Sequence, residues 1–207
     1  MCIRDRIYIG HNAEIMEGSL IRGPFALCDN STLKLGTKVY GASTIGPHCK
    51  IGGEISNVIF QSFSNKGHDG FIGNSVIGEW CNLGAGTNSS NLKNNYGEIS
   101  SYSYEKLAEV ETKQQFMGLF MGDHSKSAIN TLFNTASVVG VSATVFGADF
   151  PPKFIPSFSW GFSQPFVDFK FDKAIEAANN KMERRSLSLS EVDVKILNYL
   201  STSKKSK

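Results

Sequence analysis

The 207 residues suffice for one domain with a helical appendage, and 21 basic against 19 acidic side chains leave a net charge of +2 at pH 7. No global field therefore recruits nucleic acid or an anionic membrane surface. No apolar run approaches the roughly 18 residues of a membrane span, no secretory leader is recognisable, and Cys2, Cys28, Cys49 and Cys81 form no CxxC pair, a pattern of packing cysteines in a reducing, cytoplasmic compartment.

Residues 1–8 form a leader outside the pattern that follows, with two arginines, an aspartate and a cysteine by Arg6, and it is set aside from functional argument. From Ile9 an aliphatic residue recurs every six positions, at Ile15, Ile21, Leu27, Leu33, Val39, Ile45 and Ile51. Two positions before these stand the small residues Ala13, Ser19, Ser31, Thr37, Ser43 and Cys49, with Phe25 the large exception. A helix needs spacings of three and four and a half-buried strand needs alternation, so a strict six predicts a parallel β-helix. Each hexad is a short strand plus a corner, with the aliphatic side chain pointing inward. The repeat is already running at Ile9 with no cap ahead of it, which predicts a longer parent chain.

The register shifts by two after Ile51 and is expected to resume at Ile59, Phe71, Ile77 and Leu83. Within this stretch lie two glycine-rich segments, Asn65-Lys66-Gly67-His68-Asp69-Gly70-Phe71-Ile72-Gly73 and Asn82-Leu83-Gly84-Ala85-Gly86-Thr87. At about eighteen residues per coil, His68 and Asn82 face one groove. Imidazole titrates near neutrality and suits a general base; a turn histidine bonded to backbone is the other reading. Asn82 and Asn91, read from the residues alone, are asparagines stacked at left-handed corners.

An arm at about 91–115 interrupts the repeat, and long insertions on a rigid scaffold carry function. Its Tyr96, Tyr102 and Tyr104 are expected to touch a neighbouring subunit. The hexad returns at Met121, Phe133, Val139 and Val145, so that 9–149 makes roughly six coils at three hexads each. Asp123 and His124 are adjacent, and adjacent strand residues face opposite ways, which argues against an acid/base pair. His11, His48, His68 and His124 show no close ligand pair, so no metal is expected.

Residues 150–171, aromatic, proline-bearing and aperiodic, are expected to plug the last coil. A helical cap follows at 172–200. Ala174, Ile175, Ala177, Ala178 and Met182 form one buried stripe, and a second helix capped by Ser190 and Asp193 buries Val192, Val194, Ile196, Leu197 and Leu200. Residues 201–207 are a basic, solvated tail.

Lys66-Gly-His68 with Phe71-Ile-Gly, Ile77-Gly, Asn82-Leu-Gly-Ala-Gly-Thr87 and Asn91 resemble the acetyltransferase half of the bifunctional UDP-N-acetylglucosamine pyrophosphorylase/glucosamine-1-phosphate N-acetyltransferase family. Asn91-Leu92-Lys93 and Met121-Gly-Asp-His-Ser-Lys126 resemble its archaeal-like branch. The resemblance implies a left-handed β-helix, a homotrimer with active sites between subunits, acetyl-CoA as donor, an amino sugar phosphate as acceptor and a place in sugar-nucleotide biosynthesis. It implies His68 as general base, Asn91 near the acetyl group, Asn82 on the sugar, and the backbone at Gly140 and Val141 on acetyl-CoA. The family's tyrosine three residues past the histidine is Phe71 here, and an upstream lysine is Ser56; Lys66, Lys93 or Lys126 are the candidate replacements for phosphate recognition. A non-catalytic trimerising or sugar-nucleotide-binding module of a longer nucleotidyltransferase-like protein is the alternative.

Overall fold

The aliphatic column of the hexads becomes the inner lining of three flat faces. A computed structural model describes residues 6–162 and 164–203, so most of the leader, Ser163 and the last four tail residues lie outside the described residues. The chain is a left-handed parallel β-helix with an inserted arm and a two-helix C-terminal cap. The first face stacks eight parallel rungs whose inward residues are Ile9, Leu27, Ile45, Phe60, Ile77, Met121, Val139 and Ile155. On the second face Ile15, Leu33, Ile51, Lys66, Leu83, Ser127 and Val145 stack likewise, and on the third the aligned inward residues begin Ile21, Val39, Ile55 and Ile72.

Most of these side chains are fully buried, Leu27, Leu33, Ile45 and Ile51 at 0% exposure. Ile9 and Ile15, at the end of the stack, are each 42% exposed. The small hexad residues do more than leave room. The Ser31 hydroxyl donates to Gly46 O at 2.7 Å and accepts from Cys49 N at 3.0 Å. Ser64 does the same between Gly78 O and Cys81 N, and Ser125 between Gly140 O and Ala143 N, so each hydroxyl ties a corner to the next rung. Cys49 and Cys81 share this column, and burial pushes both thiols up to about 12, far from a reactive thiolate.

Corners sit in left-handed backbone. One column, from Asn12 and Asn30 through His48, Phe63, Trp80, His124 and Ser142 to Phe158, holds φ between 52 and 61°. Asparagine tolerates this region and bulky residues do not; here ring stacking offsets the strain, His48 on Phe63 at 4.7 Å and Phe63 on Trp80 at 4.2 Å.

Ile59 and Phe71 are not the inward residues. Ile59 is 46% exposed while Phe60 is 1% exposed, and Ile72 rather than Phe71 fills the third face. The physical reason is a shortened coil: Glu54–Phe60 and Phe71–Ile77 are continuous seven-residue strands that bend at Asn57 and Asn74 (φ 52 and 47°).

The arm is a hairpin of Ile99–Ser103 with Ala108–Gln114. Met117 N donates to Asn91 O at 3.0 Å, so the chain leaves and re-enters the coil at one point. The arm docks on its own chain rather than reaching away from it: Tyr102 stacks on Phe154 at 3.5 Å, and Lys153 Nζ donates to Ser100 O at 3.1 Å. In the aromatic segment Phe154–Ile155 and Ser159–Trp160 pair in parallel as further rungs, and Val167–Asp168 folds back antiparallel on the latter. Helix α1 (Phe171–Glu183) buries Ala174, Ala178 and Met182. Helix α2 (Glu191–Ser203) starts at a reciprocal cap, Asp193 N to Ser190 Oγ at 3.1 Å and Ser190 N to Asp193 Oδ2 at 2.9 Å. It buries Leu197, whereas Val192 and Ile196 are 62% and 54% exposed, and it carries Ser201–Ser203 of the expected tail.

Candidate functional site

The two glycine-rich segments lie one above the other. Asn65 is in register with Asn82, so Lys66-Gly67-His68 runs beneath Leu83-Gly84-Ala85, and Gly86 N donates to Asp69 O at 2.9 Å. The turn needs its glycine: Gly70 has φ +125°, and a Cβ there would sit 2.2 Å from Thr87 O. His68 is thereby held at the corner between the second and third faces, exposed to solvent.

Asn82 is also exposed, on the outer surface of the second face, in a column that runs Lys50, Asn65, Asn82, Lys126. It is three residues short of the His68 corner, about 10 Å along the strand. Two cations thus bracket two amides on one surface.

On the third face the ladder is interrupted at the site. The Phe71 N–H donates to Asn88 Oδ1 at 2.7 Å, and Asn88 Nδ2 returns to Gly86 O at 2.9 Å. Phe71 lies over Gly73, where an added Cβ would meet its Cζ at 2.6 Å and Asn91 Nδ2 at 2.7 Å. Asn91 Nδ2 donates to Asn74 Oδ1 at 2.7 Å. Sequence reasoning passed over Asn74 and Asn88, although Asn57, Asn74 and Asn91 recur at one-coil spacing. The left-handed corner accounts for Asn57 and Asn74; Asn82 is in a strand and Asn91 is not left-handed, so that account does not extend to them. Asn91 is thus bonded at Asn74, six residues on from His68 and at the other end of the third face, roughly 20 Å of chain if fully extended.

Of the lysines expected at the substrate, Lys126 is on the outer surface of the second face and Lys66 is not. Lys66 is an inward residue, 1% exposed, with Nζ donating to Gly52 O and His68 O. The Lys93 ammonium is engaged by Glu98 O across the neck of the arm. The inward placement of Lys66 follows from the same shortened coil that moved Phe60 inside. Ser56 lines an open groove of about 480 Å³ with Arg22 and Tyr40, a guanidinium that no periodic signal had singled out. Asp123 Oδ1 accepts from Glu79 N at 2.8 Å, a corner cap rather than a partner for His124.

Gly140 and Val141 line a second groove of about 300 Å³. Its outer wall is Val76, Phe120 and Val138, with Tyr104 from the arm and Leu200 from α2 at its sides. This apolar trough suits an extended chain better than a phosphate. Among the described residues no three His, Cys, Asp or Glu side chains converge on a metal position, and no helix is long and apolar enough to cross a membrane.

No protein-family profile matches the chain. Its fold superposes on a hexapeptide transferase family protein from Anaplasma phagocytophilum with a TM-score of 0.51 at 13% identity, over 96% of this chain and 92% of that one. It superposes on the polySia-specific acetyltransferase NeuO with a TM-score of 0.50 at 13% identity, over 80% and 87%. Repeat and fold together define a hexapeptide-repeat left-handed β-helix. In sequence, the chain is 26% identical over 140 residues to the bifunctional protein GlmU of Trichodesmium erythraeum, covering 67% of this chain and 25% of that one. It is 26% identical over 150 residues to the bifunctional sugar-1-phosphate nucleotidylyltransferase/acetyltransferase of Sulfurisphaera tokodaii, covering 70% and 36%. Both relatives are bifunctional proteins, and the chain spans between 25% and 36% of their length.

Proposed function

We propose that this chain transfers an acetyl group from acetyl-CoA to the amine of an amino sugar phosphate, in sugar-nucleotide biosynthesis. The observation that carries the reading is His68, exposed on a fixed turn one rung from Asn82, beside a surface where Lys50 and Lys126 bracket that amide. His68 takes the proton from the sugar amine as its nitrogen attacks the thioester carbonyl; the C–N bond forms, the C–S bond breaks and the thiol leaves. Asn82 holds the sugar, and the two lysines supply the phosphate with the charge that Ser56 lacks and offset the hydroxyl missing at Phe71. The trough at Gly140 and Val141 takes the donor's extended arm. A homotrimer brings Asn91 of one subunit toward His68 of its neighbour, since one chain keeps them apart.

Thiol release from acetyl-CoA with glucosamine-1-phosphate tests this. His68→Ala is expected to lower turnover roughly 100- to 10,000-fold, the range for loss of a general base, and Lys50→Met with Lys126→Met to raise KM for the sugar phosphate. Equal turnover in wild type and His68→Ala, or none in the folded wild type, would sink it.

A further inference from the structure

The inward column of the second face is aliphatic at Ile15, Leu33, Ile51, Leu83 and Val145, with the small Ser127 between the last two, and at Lys66 a cation takes that place. Lys66 is 1% exposed. Its Nζ donates to Gly52 O at 2.9 Å, on the rung beneath, and to His68 O at 2.7 Å, on its own turn. Gly53 makes the space, since a Cβ there would lie 2.7 Å from Nζ. Burial holds the ammonium down to about 8, partly countered by Asp69. A buried charge without a bonded carboxylate is costly, and an aliphatic residue would continue the column at no such cost. What the ammonium supplies and an alkyl chain cannot is a clamp joining two successive corners, one of which is the backbone of His68.

We propose that Lys66 is a positioning residue for His68. By binding the His68 carbonyl and the Gly52 carbonyl together, it fixes the turn so that the imidazole projects into the groove in one orientation. The inference rests on the reading of His68 as the base. Lys66 acts through His68 and touches neither substrate. Local stability is given up at the site for fixed geometry, a conflict between core pattern and residue type that marks functional positions.

Lys66→Met removes the charge from the column and separates positioning from folding. The variant is expected to resist denaturant at least as well as wild type, because a buried charge is gone. Its kcat for thiol release is expected to fall roughly 10- to 100-fold, the scale of an ångström-sized misplacement. KM for both substrates should stay within about twofold, since ground-state binding is untouched. The ring resonances of His68, assigned by their loss in His68→Ala, should shift and broaden in 15N-histidine spectra. Unchanged kcat and unchanged His68 resonances in the folded variant would overturn the proposal. Should the wild-type chain show no turnover, the acetyltransferase reading fails while the His68 spectra still decide the role of Lys66. Should Lys66→Met not fold, the wild type decides: slowly exchanging Lys66 ammonium protons correlated with the His68 carbonyl support the clamp, and rapid exchange without correlation refutes it.

Discussion

At the corner where α1 crosses the solenoid, His124 packs beside Lys126, Ser142 and Lys181 around a cavity of about 10 Å³, and its Nδ1 has no hydrogen-bond partner among the described residues. Burial first and then the Lys181 charge hold its imidazole down to about 4; Asp193 pulls the other way, more strongly than Lys126 adds to the push. The native state therefore favours neutral His124. Its contribution is present above the ordinary histidine value near 6.5 and is lost as pH falls toward 4, up to roughly 3 kcal/mol for a shift of this size. Denaturant midpoints measured at pH 7 and pH 4.5 should fall less in His124→Asn than in wild type, asparagine being at home in the left-handed corner; parallel losses would refute this. Neither His124 nor Lys66 was legible as a buried ionisable group in the sequence. Burial of a polar residue depends on which face its corner presents, and the hexad alone specifies that only while every coil has equal length.

Among the elements, the arm has the clearest role in shaping a groove. Its hairpin is pinned by Tyr102 on Phe154 and by Lys153 on Ser100, which sets Tyr104 against the trough at Gly140 and Val141. Phe154→Ala should free the arm, lowering hydrogen-exchange protection across Ile99–Ser103 and Ala108–Gln114 and raising KM for acetyl-CoA more than it lowers kcat. Protection equal to wild type would show that the stacking does not hold the arm. The hexads from Ile9 to Ile51 could be read directly because their coils repeat without change. The arm's length was equally plain, since a broken period is as visible as a kept one. Its docking partner was not: Tyr102 meets Phe154 across fifty residues, through aromatic stacking that leaves no periodic trace. The exposed Val192 and Ile196 of α2 fail for a related reason, because helical periodicity names a face without naming what covers it.

The whole molecule is a ladder in which each rung contacts its neighbours, so its activity depends on what lies across the trimer proposed above. His68 and Asn91 are held apart by a full face of the same chain, and the proposed site draws one from each of two subunits. Mixing His68→Ala with Asn91→Ala before assembly should then recover about a quarter of wild-type turnover by random assortment around a three-fold axis. Recovery absent from verified mixed trimers would place both residues' roles within one chain. The closed neck of the arm, where Met117 N meets Asn91 O, has a historical consequence as well. An insertion whose two ends touch can lengthen, shorten or change sequence without disturbing the rungs on either side. One ancestral coil could therefore have furnished descendants with unlike donor troughs by varying a single appendage, and a designer could exchange the same appendage as a cartridge.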